Sequence, residues 1–145
     1  MKQVFITLVC IILIIMQGCK KGDASTNTVA QISLLTSGTW KLTMLEFENL
    51  NGTWTTVAIP SVQANEAVSF NTDNTYTSVV GSSSAHGTWQ FSPDYKQLTI
   101  VNQINNQTQT PLVSVLTSTT LQLLSYVSQT VNGISYYAER DTFGH

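Results

Sequence analysis

The stretch "GTWKLTMLEFE", residues 38–48, decides how this chain folds. Trp40, Leu42 and Met44 alternate there with Lys41 and Thr43, a period of two. That period marks a strand with one face buried and the other wet, whereas a helix would repeat its apolar residues every three or four positions. Just downstream, "NLNGTW" carries Asn51-Gly52, a two-residue hairpin signal. Strand-like segments then follow in series: "TWTTVAI", "EAVSFN", "TYTSVV", "TWQFS", "LTIVNQ", "PLVSVLTS", "TTLQLLSYV" and "ISYYAERDTF". Turn-forming sequences join them: "NTDN", the small-residue loop "GSSSAHG", "PDYKQ", "NNQTQT" and "QTVNG". Pro111 must stand at a strand start or edge, because it has no N–H to give to a ladder.

This makes nine strand candidates joined by hairpin-length connections, with no helical segment among them long enough for a parallel crossover. The pattern predicts an all-β fold, either an antiparallel up-and-down barrel of about 8–9 strands or a sandwich. The barrel is favoured, since closure removes exposed strand edges. Ahead of it, "AQISLLTSG" reads as a short helix or turn with Ile32 and Leu35 on one face and Gly38 as its stop. A short strand is the competing reading. "KKGDASTNTV", residues 20–29, is small, polar and aperiodic, and reads as a flexible tether.

The chain opens with an uncharged run from Val4 to Met16, behind Lys2. Those thirteen residues fall short of the roughly 20 that a membrane-crossing helix needs. They fit the apolar region of a secretory signal. The run ends in "MQGC", residues 16–19, which resembles the lipobox of bacterial lipoproteins. That resemblance implies cleavage before Cys19 and attachment of acyl chains such as palmitate to Cys19, giving lipid anchorage to a membrane. Lys20, where inner-membrane lipoproteins of enteric type carry Asp, implies the bacterial outer membrane, on its periplasmic face or the cell surface. The resulting division is residues 1–18 signal peptide, 19–33 lipidated cysteine and tether, and 34–145 barrel domain. Cys10 is discarded with the signal, so Cys19 stands alone and no disulfide can form.

Without Lys2, five basic and eight acidic side chains remain, a formal charge of −3. Nucleic-acid binding needs a concentrated basic face to displace counterions from phosphate, and no such face exists here. Abundant Thr, Ser, Asn and Gln suit the wet face of an antiparallel sheet.

All three tryptophans sit in the same triplet, Gly-Thr-Trp, at Trp40, Trp54 and Trp89. The first, opening the first strand after a short turn, resembles the Gly-x-Trp signature of lipocalins. "SGTWKLT", "GTWQFSPDYKQLTI" and "LTSTTLQLL" extend the likeness to the lipocalin-like domains of bacterial lipoproteins, over residues 34–143. In lipocalins an arginine near the end of the last strand packs across the first-strand tryptophan. The resemblance therefore implies that Arg140, the one arginine, closes the barrel over Trp40. Alternation agrees: Ile134, Tyr136, Ala138 and Arg140 share the more apolar face of the last strand, and Ser135, Tyr137, Glu139 and Asp141 share the other.

Catalytic chemistry finds few candidates. His86 lies in a serine-rich loop and His145 is the last residue, so neither offers the buried, oriented geometry of a triad. Glu46 and Glu48 share a strand face and read as solubilising. Asn71, Asp73 and Asn74 carry oxygen ligands suited to Ca²⁺, yet they read better as a hairpin turn. No catalytic residue, metal site or cofactor is expected. Met44, Phe70, Tyr76, Trp89, Phe91 and Tyr136 point inward by alternation and would line a ligand cavity, while Tyr126, Tyr137 and Trp54 would be exposed aromatics. The expected function is non-catalytic binding of a small apolar or amphipathic ligand. The alternative is a filled barrel that contacts another envelope protein or a glycan through its loops.

Overall fold

The computed structural model describes residues 24–131 and 133–145. The stretch read as a signal, Cys19 and the start of the stretch read as a tether lie outside the described residues. Helix α1 (Ala24–Leu35) comes first, beginning inside the stretch read as tether and including the segment in which a short helix competed with a strand. Its last turn buries Leu35 fully, with Ile32 packed beside it on the barrel core. The indole of Trp40 donates to the Leu35 carbonyl at 2.8 Å, satisfying one of the acceptors that a helix end leaves without a partner.

Ten strands follow: β1 (Thr39–Asn49), β2 (Trp54–Val57), β3 (Ala67–Phe70), β4 (Thr75–Val80), β5 (Ser83–Phe91), β6 (Leu98–Asn102), β7 (Thr108–Gln109), β8 (Leu112–Leu116), β9 (Thr120–Val131) and β10 (Ile134–Gly144). Every pairing is antiparallel, in the order β7-β6-β5-β4-β3-β1-β10-β9-β8, with β2 lying against the far end of β1. The sheet curls until its ends meet. Gln97 bridges to Leu112, the Leu98 N–H donates to the Pro111 carbonyl at 3.0 Å, and the Val113 N–H donates to the Lys96 carbonyl at 2.8 Å. Pro111 cannot return a donor to Leu98. β7 and β8 are thus one stave interrupted at the proline, and the barrel has eight staves, with β2 as an extra flap.

The expected all-β barrel with a short helix before it is the observed fold. Closure is uneven, however. β8 pairs with β9 from Leu121 to Leu124, but above that point β7 and β9 are unpaired, and the wall parts there. The end nearer α1 is plugged by Trp40, Leu35, Leu98 and Leu121. A second, smaller cluster of Leu45, Phe47 and Tyr136 sits near the other end.

Two strands break their alternation. β1 slips register against β10 between Leu42 and Met44, and again between Glu48 and Asn49, opposite Tyr137. An extra residue in one strand turns every later side chain to the other face. After Thr43, Leu45 and Phe47 take the buried face, and Met44 turns outward with Glu46. On β10, Tyr136 is buried, but beyond Tyr137 the inward residues are Glu139, Asp141 and Phe143.

Arg140 consequently faces out, and its expected closure over Trp40 does not form. Its guanidinium carbon lies 4.1 Å from the centre of the Trp54 ring, and its Nε donates to Glu46 at 2.8 Å. Glu46 is therefore a half-buried ion-pair partner rather than a free solubilising charge. The ring that covers Trp40 belongs to His145, at 3.9 Å between centroids. His145 also meets Ser37 Oγ at 3.0 Å and the Thr39 carbonyl at 3.2 Å. A double-mutant cycle of Arg140→Lys with Trp54→Phe should give a coupling of about 0.5–1 kcal/mol, because lysine keeps the charge but loses the planar stack. The same cycle with Trp40→Phe should be additive. Chemical denaturation of the four variants in each cycle checks both.

The loop read at "GSSSAHG" is mostly strand: Ser83–Phe91 form β5, and the turn is confined to Gly81-Ser82. His86 sits exposed on the outer face of β5, paired across to Thr77. The "NTDN" segment is a hairpin turn, in which Asp73 Oδ1 accepts from the Thr75 N–H at 3.0 Å and from its hydroxyl at 2.6 Å. Those bonds hold the Asp73 carboxyl below its usual range.

Candidate functional site

Between the plugged end and the Leu45–Phe47–Tyr136 cluster, the barrel interior is not filled. A cavity of about 290 Å³ lies there, at the small end of the roughly 300–1,000 Å³ usual for ligand sites. Its floor is apolar. Val68 and Phe70 come from β3, Tyr76 from β4, Ile100 from β6, Leu123 from β9 and Phe143 from β10. Each is an inward position of its strand, Phe143 by virtue of the slip at Tyr137 and the others by regular alternation.

Toward its mouth the lining is polar: Ser78, Asn102, Gln107, Gln109 and Ser125 are uncharged there, and the charged groups are acidic. Glu66, at the entry to β3, and Asp141 of β10 both line it, and Glu139 lies one inward position further along β10 in the adjoining recesses. No lysine, arginine or histidine appears among the lining residues. Burial is the main force on their titration, because removing a carboxylate from water penalises the charged form. It pushes Asp141 up to about 7, with repulsion from Glu139 and then Glu66 adding to it. Glu139 is raised by burial, against a hydrogen bond with Asp141 that lowers it. The two carboxyls hydrogen-bond to each other and so share a proton between them. Glu66 is raised by burial and by Glu139, and a hydrogen bond from Gln63 partly offsets this. Above the acids, the Gln129 amide nitrogen is buried with no hydrogen-bond partner, beside the same recess as Glu139.

The cavity has a side door. Where β7 and β9 part, a recess of about 610 Å³ is bounded by Thr108–Pro111 on one side and Ser125–Val127 on the other. Glu66, Glu139 and Asp141 all border it. The acids therefore stand between the apolar interior and solvent.

Of the residues expected to line a ligand cavity, Phe70 and Tyr76 do so. Trp89 and Phe91 are inward but lie below it, stacked edge-on at 5.8 Å in the core. Tyr136 is buried above it, with its ring 5.3 Å from that of Phe47. Met44 is on the outer side of the wall. The carboxylates were missed because alternation counted from Tyr136 sends Glu139 and Asp141 outward. One signal was available: Phe143 and Tyr136 are both large and aromatic but have opposite parity, so both can be buried only if the strand slips between them. Among the described residues, no group of three His, Cys, Asp or Glu is placed to hold a metal ion. No described helix is long and apolar enough to cross a membrane.

No family model matches the sequence, and no curated protein does. Solved structures do. A lipocalin-like protein from Bacteroides uniformis superposes with a TM-score of 0.50 at 14% identity, over 77% of this chain and 97% of its own. A DUF4847 family protein from Bacteroides vulgatus gives 0.46 at 16% identity, over 77% of this chain and 94% of its own. Eight staves in meander order, a helix plugging one end beside a Gly-x-Trp strand, and the first of these superpositions agree on one architecture: the chain folds as a lipocalin-like barrel.

Proposed function

We propose that this protein is a lipoprotein of the bacterial outer membrane, anchored through acyl chains on Cys19, whose barrel carries a small amphipathic ligand without transforming it. The observation that carries the reading is the unfilled interior. An eight-stranded barrel is just wide enough either to fill itself with side chains or to hold one small ligand. Bulky residues at every inward position would have favoured an accessory module that works through its loops. Instead Ser78, Ala85 and Ser125 stand at inward positions around the cavity and leave it open. The lining is apolar at the floor and hydrogen-bonding toward the mouth, which matches an amphipathic molecule better than a purely apolar one.

Two measurements on Cys19→Ala test the two halves of the proposal. Expressed with its signal, the variant should be released from membranes by a carbonate wash while the parent stays bound. Sedimentation of both would remove the anchor. Purified as the mature chain, it should carry a small molecule detectable by native mass spectrometry, or take one up from an envelope lipid extract. If it does neither, the loop-contact reading takes the place of ligand carriage.

A further inference from the structure

Resting on the ligand-carrying reading, we infer that the ligand is an organic cation: a primary amine on a short apolar body, with its ammonium held by Asp141 and Glu139 and its body on Phe70 and Phe143. Two observations meet at one place. First, the cavity is apolar below and open at the side above, so a ligand entering through the β7–β9 gap leaves its polar end at the gap. Second, the charged groups bordering that gap are Glu66, Glu139 and Asp141, and no basic side chain lines the cavity or its recesses to neutralise them. The one arginine, which would have been their natural partner, is committed outside the barrel to Glu46 and Trp54.

An unpaired buried carboxylate is costly and persists where something compensates it. A metal ion is a poor candidate for that compensation, since the three acids do not converge as a ligand set. An ammonium offers three donors that can reach separate carboxylates at once. The cavity admits such a molecule: a cavity of roughly 150 Å³ takes benzene, and this one is about 290 Å³. An anionic amphiphile of the same length would meet three acids and be rejected.

The discriminating probes are hexylamine, hexanol and hexanoate, titrated calorimetrically at pH 8 into the mature chain carrying Cys19→Ala. At that pH the amine is protonated, as a lysine side chain is. Hexylamine should bind at least tenfold more tightly than hexanol, and hexanoate should not bind. Asp141→Asn should abolish the tenfold preference, and Glu139→Gln should reduce it; the second variant serves if the first fails to fold. In the parent, the preference should also shrink from pH 8 to pH 5.5 as the Asp141–Glu139–Glu66 group takes up protons. Tyr76, the other titratable group lining the cavity, has its phenol raised further from this range by burial. Equal binding of hexanol, binding of hexanoate, or a preference that survives Asp141→Asn would overturn amine recognition and leave ligand carriage standing. If none of the three binds, amine recognition falls, and ligand carriage is decided by the mass-spectrometric test alone.

Discussion

Replacing Asp141 with asparagine is expected to raise the melting midpoint at pH 8 by about 10 °C and to leave it almost unchanged at pH 4. The sign follows from where the proton sits. In the unfolded chain this carboxyl titrates near 3.8, and in the barrel it is pushed up to about 7. Below pH 4 both states hold the proton, so the group contributes nothing. Between pH 4 and 7 the folded state keeps a proton that the unfolded state has released, and stability falls as the pH rises. Above pH 7 the full cost is present, on the order of 4 kcal/mol. Glu139 and Glu66 are shifted in the same direction and steepen the decline in the parent. Asparagine fills the same volume, can donate to Glu139 as the protonated acid does, and removes the charge. Thermal unfolding of parent and variant at pH 4, 6 and 8 gives the comparison. Equal midpoints at pH 8 would mean that Asp141 is not buried as described. A barrel less stable at neutral pH than its own asparagine variant is holding a charge for a purpose other than stability.

The second large effect is at Gly87. Alanine there should lower stability by more than about 3 kcal/mol, enough to detach β6 from β5. Gly87 lies inward in the middle of β5, and a Cβ built on it would sit 1.9 Å from the Val101 carbonyl oxygen. The Tyr76 ring closes the other side at 2.9 Å. Backbone cannot yield by that amount without breaking the ladder. Gly52→Ala is the useful contrast. Gly52 has a positive φ of 77° in the hairpin turn, but its nearest neighbour is a Glu48 carboxylate oxygen at 3.8 Å. Alanine there costs only the backbone strain, about 1–2 kcal/mol. A loss at Gly87 no larger than that at Gly52 would contradict the close approach of β6. Denaturant midpoints of the two variants, measured side by side, decide it.

Those two glycines open identical Gly-Thr-Trp triplets, and the contrast marks what could be read in advance. Strand order, the Asn51-Gly52 hairpin, the Asp73 turn and the buried Trp40 all follow from local chemistry: a period of two, turn residues that tolerate positive φ, and an indole at the head of a strand. Which neighbour crowds Gly87 does not, because Val101 approaches only once β5 and β6 have paired. The site was obscured by the same kind of event. Facing is inherited residue by residue along a strand, and a single slip reverses everything beyond it. Slips at Thr43 and Tyr137 put Met44 and Arg140 outside and the two β10 acids inside. His145 over Trp40 depends on the last strand returning beside the first, which no short window of sequence contains.

The parted seam between β7 and β9 has one more consequence. Along the upper half of β9, amides directed toward β10 are locked in a ladder, while alternate amides of the same strand face the gap. Neighbouring backbone hydrogens then trade with solvent deuterium at very different rates, the first set waiting for the strand to separate and the second needing no opening at all. A molecule seated in the gap would shield the second set without touching the first, so this half-strand records occupancy of the barrel in its own backbone.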